Sequence, residues 1–234
     1  MAALELASTP LFTDSNLVAY YKLEDTADSK GSNTLTNNNS VTFTSTKFNN
    51  GGNFGTANTN KSLSVASTLG LSSSGSKSIV GWAKMNTELS GADSFGDFIS
   101  LSHADIDIVW RIGYWRESSV NEFVVNRGKN GIGTTGIKYS TNLGTSTIHA
   151  IGMSWDGTTL TSYLDGVSVG TETPSGNGNN GFSDEFRIGA DNAGTNFISA
   201  NVDDVGVFSR KLTATEFASH FSGDFPSGNF FRLF

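Results

Sequence analysis

The sequence predicts an all-β protein: an antiparallel two-sheet β-sandwich of the jelly-roll type, with one short helical turn near the C-terminus. Short runs of alternating apolar residues recur along the 234 residues, and clusters of Gly, Asn, Ser and Thr separate them. Only one segment has a helical signature, which argues against alternating strand and helix units. Strands are expected near residues 17–23, 41–43, 62–66, 77–85, 97–102, 107–115, 121–126, 147–155, 159–164, 167–171, 185–190 and 198–208.

The last predicted strand runs into a capped helical turn. Side chains alternate across a strand, so Val205 and Val207 should share one face, and Asp203 should lie opposite Asp204. Thr213 and Glu216 are spaced as a capping box, in which each side chain accepts from the backbone N–H of the other. The buried anchors of this turn are expected to be Leu212, Phe217 and Phe221.

Composition indicates one large domain and excludes several kinds of partner. The formal net charge is −7 without a basic run, which counts against nucleic acid and anionic membrane surfaces. No stretch approaches the roughly 20 apolar residues of a membrane span. The segment Met1–Ala7 lacks the basic start and apolar run of a secretory signal. The absence of Cys removes disulfides and thiolate metal sites.

The chain divides into an N-terminal arm, a sandwich and a tail. Residues 1–16 form the arm, 17–222 the jelly roll and 223–234 an aromatic tail. Large apolar side chains in the tail are costly to leave in water. The tail therefore either packs on its own sandwich or anchors a homo-oligomer or larger assembly, through Phe225, Phe230, Phe231 and Phe234.

Ordered sequence blocks carry a family resemblance. An opening strand precedes the turn Asp28-Ser29-Lys30-Gly31, and the strand at 78–84 carries Trp82. A central hairpin contains Asp156-Gly157 and Asp165-Gly166, and a closing block spans 202–205. In this order the blocks resemble the laminin G-like, concanavalin A-like lectin/glucanase jelly-roll superfamily. Trp82 and Trp155 are assigned to the core.

Some members of this superfamily are glycoside hydrolases, which need paired carboxylates. The nearest approach to such a motif is Asp105-Ile106-Asp107, but Val109 and Trp110 follow where a third acid should stand. The motif is therefore incomplete, and the chain is predicted not to be an enzyme.

A sugar site requires an aromatic ring beside groups that bind hydroxyls. Along the strand at 107–115, Ile108, Trp110, Ile112 and Tyr114 should face the core. The opposite, concave face would then present Asp107, Arg111 and Trp115, joined by Asn121 or Asn126 from the next strand. Alternatively, Trp115 only covers the edge of the sandwich.

The resemblance also implies a structural calcium ion, since many relatives carry one. Asp203 is the best-matched ligand, with Asp28 or Glu24 as partners. Alternatively, Asp203 or Asp204 accepts from turn or strand-edge amides.

The leading functional hypothesis is a noncatalytic carbohydrate or surface-binding module, an adhesion lectin. It would act at an extracellular surface or on a virion, as a fibre or capsid decoration protein, and bind a glycan or cell-surface polysaccharide. The alternative is a structural assembly protein that uses the jelly roll as scaffold and the tail as anchor. A glycoside hydrolase is the third hypothesis.

Overall fold

The computed structural model describes residues 4–56, 59–90, 93–105, 108–128, 136–174 and 183–223. Its fifteen strands form two antiparallel sheets, and one α-helix follows them, which confirms the predicted sandwich. The strands are β1 (Leu17–Tyr21), β2 (Thr36–Asn38), β3 (Thr42–Ser45), β4 (Asn50–Asn53), β5 (Ser62–Val65), β6 (Lys77–Met85), β7 (Ser94–His103), β8 (Ile108–Glu117), β9 (Val120–Gly128), β10 (Gly136–Ser140), β11 (His149–Trp155), β12 (Leu160–Leu164), β13 (Val167–Glu172), β14 (Glu185–Ile188) and β15 (Ala200–Phe208).

One sheet has eight strands in the order β13-β12-β11-β6-β15-β4-β3, with β1 also paired to β15. The other has seven strands in the order β10-β9-β8-β7-β14-β5-β2. Both predicted Asp-Gly turns lie in hairpins. Asp165 and Gly166, both at positive φ, close β12 on β13, and the segment after Asp156 closes β11 on β12.

The main core lies between the two sheets. The predicted inward face of β8 is confirmed, because Ile108, Trp110, Ile112 and Tyr114 are all buried there, at 1% exposure or less. Trp155 also belongs to this core, as predicted. The remaining residues of β8 therefore point to the outer face of the seven-stranded sheet.

A second apolar cluster covers part of the outer face of the eight-stranded sheet. It joins Leu6 and Leu11, in the 3-10 turns Leu6–Ser8 and Pro10–Thr13, to Phe217 of helix α1 (Ala214–Ser222). Phe217 stacks on Tyr163 with ring centroids 3.7 Å apart. A Cβ on Gly152 would come within 2.5 Å of the Phe217 ring, so a glycine is needed beneath the helix.

The capping box of α1 is confirmed, since Thr213 Oγ1 accepts from Glu216 N and Glu216 Oε2 accepts from Thr213 N. Leu212 and Phe217 are buried, but Phe221 is 39% exposed, so its assignment as a buried anchor is wrong. The Phe221 ring stacks on Trp82 near the end of the helix, which leaves the rest of the ring in solvent.

The closing strand departs from simple alternation at a bulge. Asp203 pairs with Trp82 and Gly206 pairs with Val80, so two residues of β15 stand opposite one of β6. Val202, before the bulge, and Val205, which with Asp204 forms it, both lie in the main core. The prediction that Asp203 and Asp204 lie on opposite faces is therefore wrong, because the extra residue turns both carboxylates away from the core.

Trp82 is buried, but on the outer face of the eight-stranded sheet. Its ring contacts Phe48, His220 and Phe221, with centroids 5.7 to 6.0 Å away. Its neighbours on β6, Gly81 and Ala83, point the other way, toward the main core. Trp82 is therefore buried in apolar surroundings as predicted, but its core position lies outside the eight-stranded sheet and not between the two sheets.

Candidate functional site

Polar and aromatic side chains collect on the outer face of the seven-stranded sheet. Arg111, Gly113 and Trp115 alternate on β8 with the core residues. Across the sheet, Ser100 of β7 and Asn126 of β9 stand directly opposite Arg111. Three neighbouring strands therefore place ionic, amide and indole groups side by side.

A buried ion network organises this face. Arg111 Nε lies 3.6 Å from Asp97 Oδ2, and its Nη2 lies 4.0 Å from Asp191 Oδ2. The three side chains are only 5%, 0% and 1% exposed. Arg111 Nη2 also donates to Asn192 Oδ1 at 3.3 Å. One guanidinium thus connects β7 to the loop between β14 and β15.

Burial raises the pKa of Asp97 to about 6, and the nearby Arg111 charge and a hydrogen bond from Trp115 oppose that rise. Trp115 Nε1 donates to Asp97 Oδ1 at 3.0 Å. Gly113 makes this contact possible, because a Cβ there would lie 2.5 Å from Asp97 Oδ1 and 2.8 Å from Trp115 Nε1. The Asp97 carboxylate therefore fixes the indole by a hydrogen bond and attracts the guanidinium as an ion pair without a hydrogen bond between Oδ2 and Nε.

The loop between β14 and β15 has its own internal order. Asp191 accepts from Thr195 N, from Thr195 Oγ1 and from Asn196 Nδ2, at 2.6, 2.7 and 3.1 Å. Asn192 and Asn196 remain partly exposed. The loop thus presents amide groups at the edge of the ion network.

The exposed aromatic ring of this face is Phe95 rather than Trp115. Trp115 is 7% exposed, whereas Phe95 is 39% exposed and meets the indole edge-on with centroids 5.4 Å apart. Sequence reasoning missed Phe95 because the predicted strand began at residue 97, whereas β7 begins at Ser94. Phe95 and Asp97 are two residues apart, so extending the predicted strand to Phe95 would have placed both side chains on the same face.

The structure brings together only part of the predicted sugar site. Arg111, Trp115 and Asn126 share one face, and Asn126 is fully buried with neither Oδ1 nor Nδ2 hydrogen-bonded in the described part of the chain. Asn121 is two residues from the core residue Phe123 on β9, so it lies on the opposite face from Arg111 and Trp115. Its side chain bonds to Arg116 and Glu88. Asp107 lies outside the described residues.

The residues predicted to bind calcium have other partners. Asp28 accepts from backbone N–H groups of Tyr20, Lys30, Gly31 and Asn33, which lower its pKa against the effect of burial. Asp203 Oδ2 accepts from Thr46 Oγ1 and Phe48 N, and burial raises its pKa to about 6. Glu24 is exposed.

Within the described ranges, no group of three or more His, Cys, Asp or Glu could hold a metal ion. Asp28 and Asp203 hold turns in place and do not fit a preformed cation site. Calcium binding stays a prediction of the family resemblance, and unfolding temperatures with CaCl₂ and with EDTA would test it.

Two further predictions concern segments at the limits of the described structure. The tail residues Phe225, Phe230, Phe231 and Phe234 lie outside the described residues. Of the incomplete acidic motif, Asp105 is described and accepts from Ser73 Oγ at 2.6 Å. Among the helices that the structure describes, none has the length and apolar character needed to cross a membrane.

Solved structures with the same fold include sugar-associated proteins. Domain 4 of AbnA, a GH43 extracellular arabinanase from Geobacillus stearothermophilus in complex with arabinotriose, superposes with a TM-score of 0.65 at 15% identity, over 88% of this chain and 98% of that domain. The binding domain of botulinum neurotoxin DC in complex with SialylT gives 0.64 at 15% identity, over 88% of this chain and 51% of that one. The chain spans about half the length of such toxin domains.

At these identities the superpositions establish the fold alone. A search of curated proteins finds no match. The family comparison is more direct, because residues 56–218 match the model of the laminin G-like family described as the concanavalin A-like lectin/glucanases superfamily. This match spans well over half of the chain and includes β5 to β15. The chain therefore belongs to the concanavalin A-like lectin/glucanase superfamily.

Proposed function

We propose that the protein is a noncatalytic glycan-binding module whose site is the outer face of the seven-stranded sheet around Phe95. The observation that carries the proposal is the exposed Phe95 ring held against Trp115, beside a buried Asp97–Arg111–Asp191 network. An exposed ring next to fixed polar groups is what a pyranose or furanose needs, because its C–H face is apolar and its rim is hydroxylated.

The buried groups have a positioning role in this proposal. Phe95 would stack on the sugar, and Trp115, fixed through Asp97, would hold the Phe95 ring in place. Arg111 would orient Asn192 through their 3.3 Å hydrogen bond, so that the loop amide reads sugar hydroxyls. A preorganised site of this kind loses less entropy when it binds.

Support for the glycan class comes from two relatives. The arabinanase domain was solved with arabinotriose, and the botulinum neurotoxin DC domain was solved with SialylT. A single sugar site of millimolar affinity corresponds to only about −4 kcal/mol, so display of several copies on a surface or virion would be needed for strong adhesion.

The first experiment is a glycan array, followed by calorimetry with the best ligand and with arabinotriose. Phe95→Ala should weaken binding about three- to tenfold, because aromatic contacts contribute roughly 0.5–1.5 kcal/mol beyond burial. Phe221→Ala is the matched control, since both residues are 39% exposed and Phe221, in helix α1, lies over the other sheet. Equal affinity in the two variants would refute the proposed site.

The absence of catalysis has its own test. Incubation with arabinan and β-glucans should release no reducing ends above a blank. Turnover that disappears in Asp105→Asn or Asp107→Asn would instead support the hydrolase hypothesis.

A second candidate function is assembly through the C-terminal end. The observation that favours it is an apolar patch where Phe221 is 39% and Val167 is 65% exposed. The Cβ position of Gly166, next to Val167, is only 2.9 Å from Phe221 Cβ, so the two side chains flank one surface. Deleting residues 225–234 should convert an oligomer to monomer, measured by light scattering, with glycan binding intact. A wild-type chain that is already monomeric would refute this candidate.

A further inference from the structure

A small pocket opens at the polar end of the eight-stranded sheet, far along β6 from the apolar cluster. The outward residues of β6 are Ser78, Val80, Trp82 and Lys84, so the apolar Val80 and Trp82 give way to the charged Lys84 at this end. The pocket has a volume of about 210 Å³. Its lining comes from β3, β6, β15 and the segment before β11, and consists of Ser45, Thr46, Lys84, Ser146, Ile148 and Asn201.

Lys84 gives this pocket a positive charge that is not balanced locally. Its ammonium group has no ion pair or hydrogen bond with any other described residue, although the side chain is half-buried. None of the described residues that line the pocket carries a carboxylate. The nearest acid along the adjacent strand, Asp203, is 1% exposed and accepts from Thr46 and Phe48. Among the described lining residues, the charge of Lys84 therefore has no acidic counterpart.

The other lining groups favour a sugar over a bare anion. Asn201 is 7% exposed; its Oδ1 accepts from Asn86 Nδ2 at 3.1 Å, while no described residue accepts from its Nδ2. Ser45 and Ser146 contribute exposed hydroxyl groups, and Ile148 contributes a half-buried apolar surface. The volume is below the roughly 300–1,000 Å³ typical of pockets for drug-sized ligands, which favours a single ring.

From these features we propose a second binding site, which accepts one carboxylate-bearing sugar residue, a uronate, in this pocket. Lys84 pairs with the carboxylate, the Asn201 amide and the serine hydroxyls bind the sugar hydroxyls, and Ile148 lies against the ring. Charge-assisted hydrogen bonds of this kind are among the strong ones in proteins. The site is independent of the face around Phe95, because it lies on the other sheet.

The test is an NMR titration of the ¹⁵N-labelled full chain with methyl glucuronide, methyl glucoside and inorganic sulfate. Methyl glucuronide should bind at least about tenfold more tightly than the other two ligands, and should shift the amides of Lys84, Ile148 and Asn201. Equal binding of the neutral glucoside would overturn the role of Lys84. Equal binding of sulfate would overturn the sugar specificity.

Three variants locate the site. Lys84→Gln should lose about tenfold in glucuronide affinity, whereas Lys61→Gln, at a half-buried lysine just before β5 of the other sheet, should lose nothing. Asn201→Asp keeps the oxygen that accepts from Asn86 and adds a negative charge, so it should abolish glucuronide binding without unfolding. Unchanged affinity in Lys84→Gln overturns the proposal even if Asn201→Asp fails to fold. Phe95→Ala should leave glucuronide binding intact, so this site and the first can fail separately.

Discussion

The outer faces of the two sheets are built on opposite principles. On the eight-stranded sheet, the arm and helix α1 bury an apolar cluster around Leu6, Tyr163 and Phe217. On the seven-stranded sheet, the equivalent layer holds the buried charges of Asp97, Arg111 and Asp191. Both layers are nearly dry; apolar side chains dominate the first, although it also buries Asp204, whereas an ion network organises the second.

This difference separates stability from recognition. Burial of apolar side chains contributes roughly 25 cal/mol per Å² without a need for exact partners. A buried ion network rarely stabilises more than apolar packing would, because desolvation offsets the attraction. Under the function proposed above, the network beside the exposed Phe95 would serve positioning more than stability.

Phe217→Ala should have the largest effect on stability. The ring is 3% exposed and fills the space between Tyr163 and Gly152, so its removal leaves a cavity under the helix. Such substitutions cost about 3–5 kcal/mol, measured as the free energy of unfolding in urea. Phe221→Ala, on the same helix but 39% exposed, should cost well under half as much. Similar losses in both variants would mean that the apolar cluster around Phe217 does not hold helix α1 on the eight-stranded sheet.

Asp97→Ala tests the polar layer in the same way. It leaves the Arg111 guanidinium with Asp191 at 4.0 Å and removes the acceptor of the Trp115 indole N–H. We expect a loss of about 2–3 kcal/mol in the free energy of unfolding, below the roughly 3–5 kcal/mol for a pair broken completely. Glycan affinity should fall together with stability.

The matched variant for this test is Ser100→Ala, which also lies on the outer face of β7, opposite Arg111. Its hydroxyl donates only to Ala190 O, so stability should fall by about 1 kcal/mol. A glycan affinity that is unchanged in Asp97→Ala would show that the network does not position Phe95.

The parts of the fold that could be predicted are those whose sequence signal lies within a single segment. Alternation on β8 identified its core residues correctly, and the Thr213–Glu216 spacing identified the helix start. The strands β2, β4 and β10 were missed because segments such as Asn50-Gly51-Gly52-Asn53 have a turn-like composition. This segment is the strand β4 because its hairpin neighbour β3 and the sequence-distant β15 supply hydrogen-bonding partners, while β2 pairs with β5 and β10 with β9.

The site was less predictable because it depends on irregular positions. The bulge on β15 inverted the expected relation of Asp203 to Asp204, and a second irregularity on β7, between Asp97 and Ile99, changed which residues face outward. Asp191, from a loop some 80 residues after Arg111, could not be joined to it by spacing. Arg111 and Trp115 were identified because β8 itself is regular.

The buried Asp204, on the outer face of the eight-stranded sheet, should make the free energy of unfolding depend on pH. Burial raises its pKa to about 8 from 3.8, and hydrogen bonds from Tyr20 and Leu6 only partly oppose this rise. The folded state therefore holds a proton that the unfolded state releases, and stability falls as pH rises from about 4 to 8. Asp204→Asn removes this dependence, and Asn tolerates the positive φ of 55° at this position.

The measurement compares the free energy of unfolding at pH 6.5 and pH 8 in the wild type and in each variant. One proton is worth about 1.4 kcal/mol per pH unit, so Asp204→Asn should reduce the difference by about 1–2 kcal/mol. Asp203→Asn is the control, because the pKa of Asp203 is about 6 and its dependence is complete below this range. An identical pH difference in the wild type and Asp204→Asn would place the Asp204 pKa outside this window.

Thr213→Ala should have the smallest effect and tests whether the two faces are separate. Its hydroxyl accepts from Glu216 N at 3.2 Å, and loss of such a cap costs about 1 kcal/mol. Thr213→Ser should restore most of the stability, because the serine hydroxyl can make the same bond. The helix covers the eight-stranded sheet only, so glycan affinity at Phe95 should not change in either variant. A drop in glycan affinity with Thr213→Ala would mean that helix α1 and the outer face of the seven-stranded sheet are coupled through the core. The separation of stability from glycan binding would then be wrong.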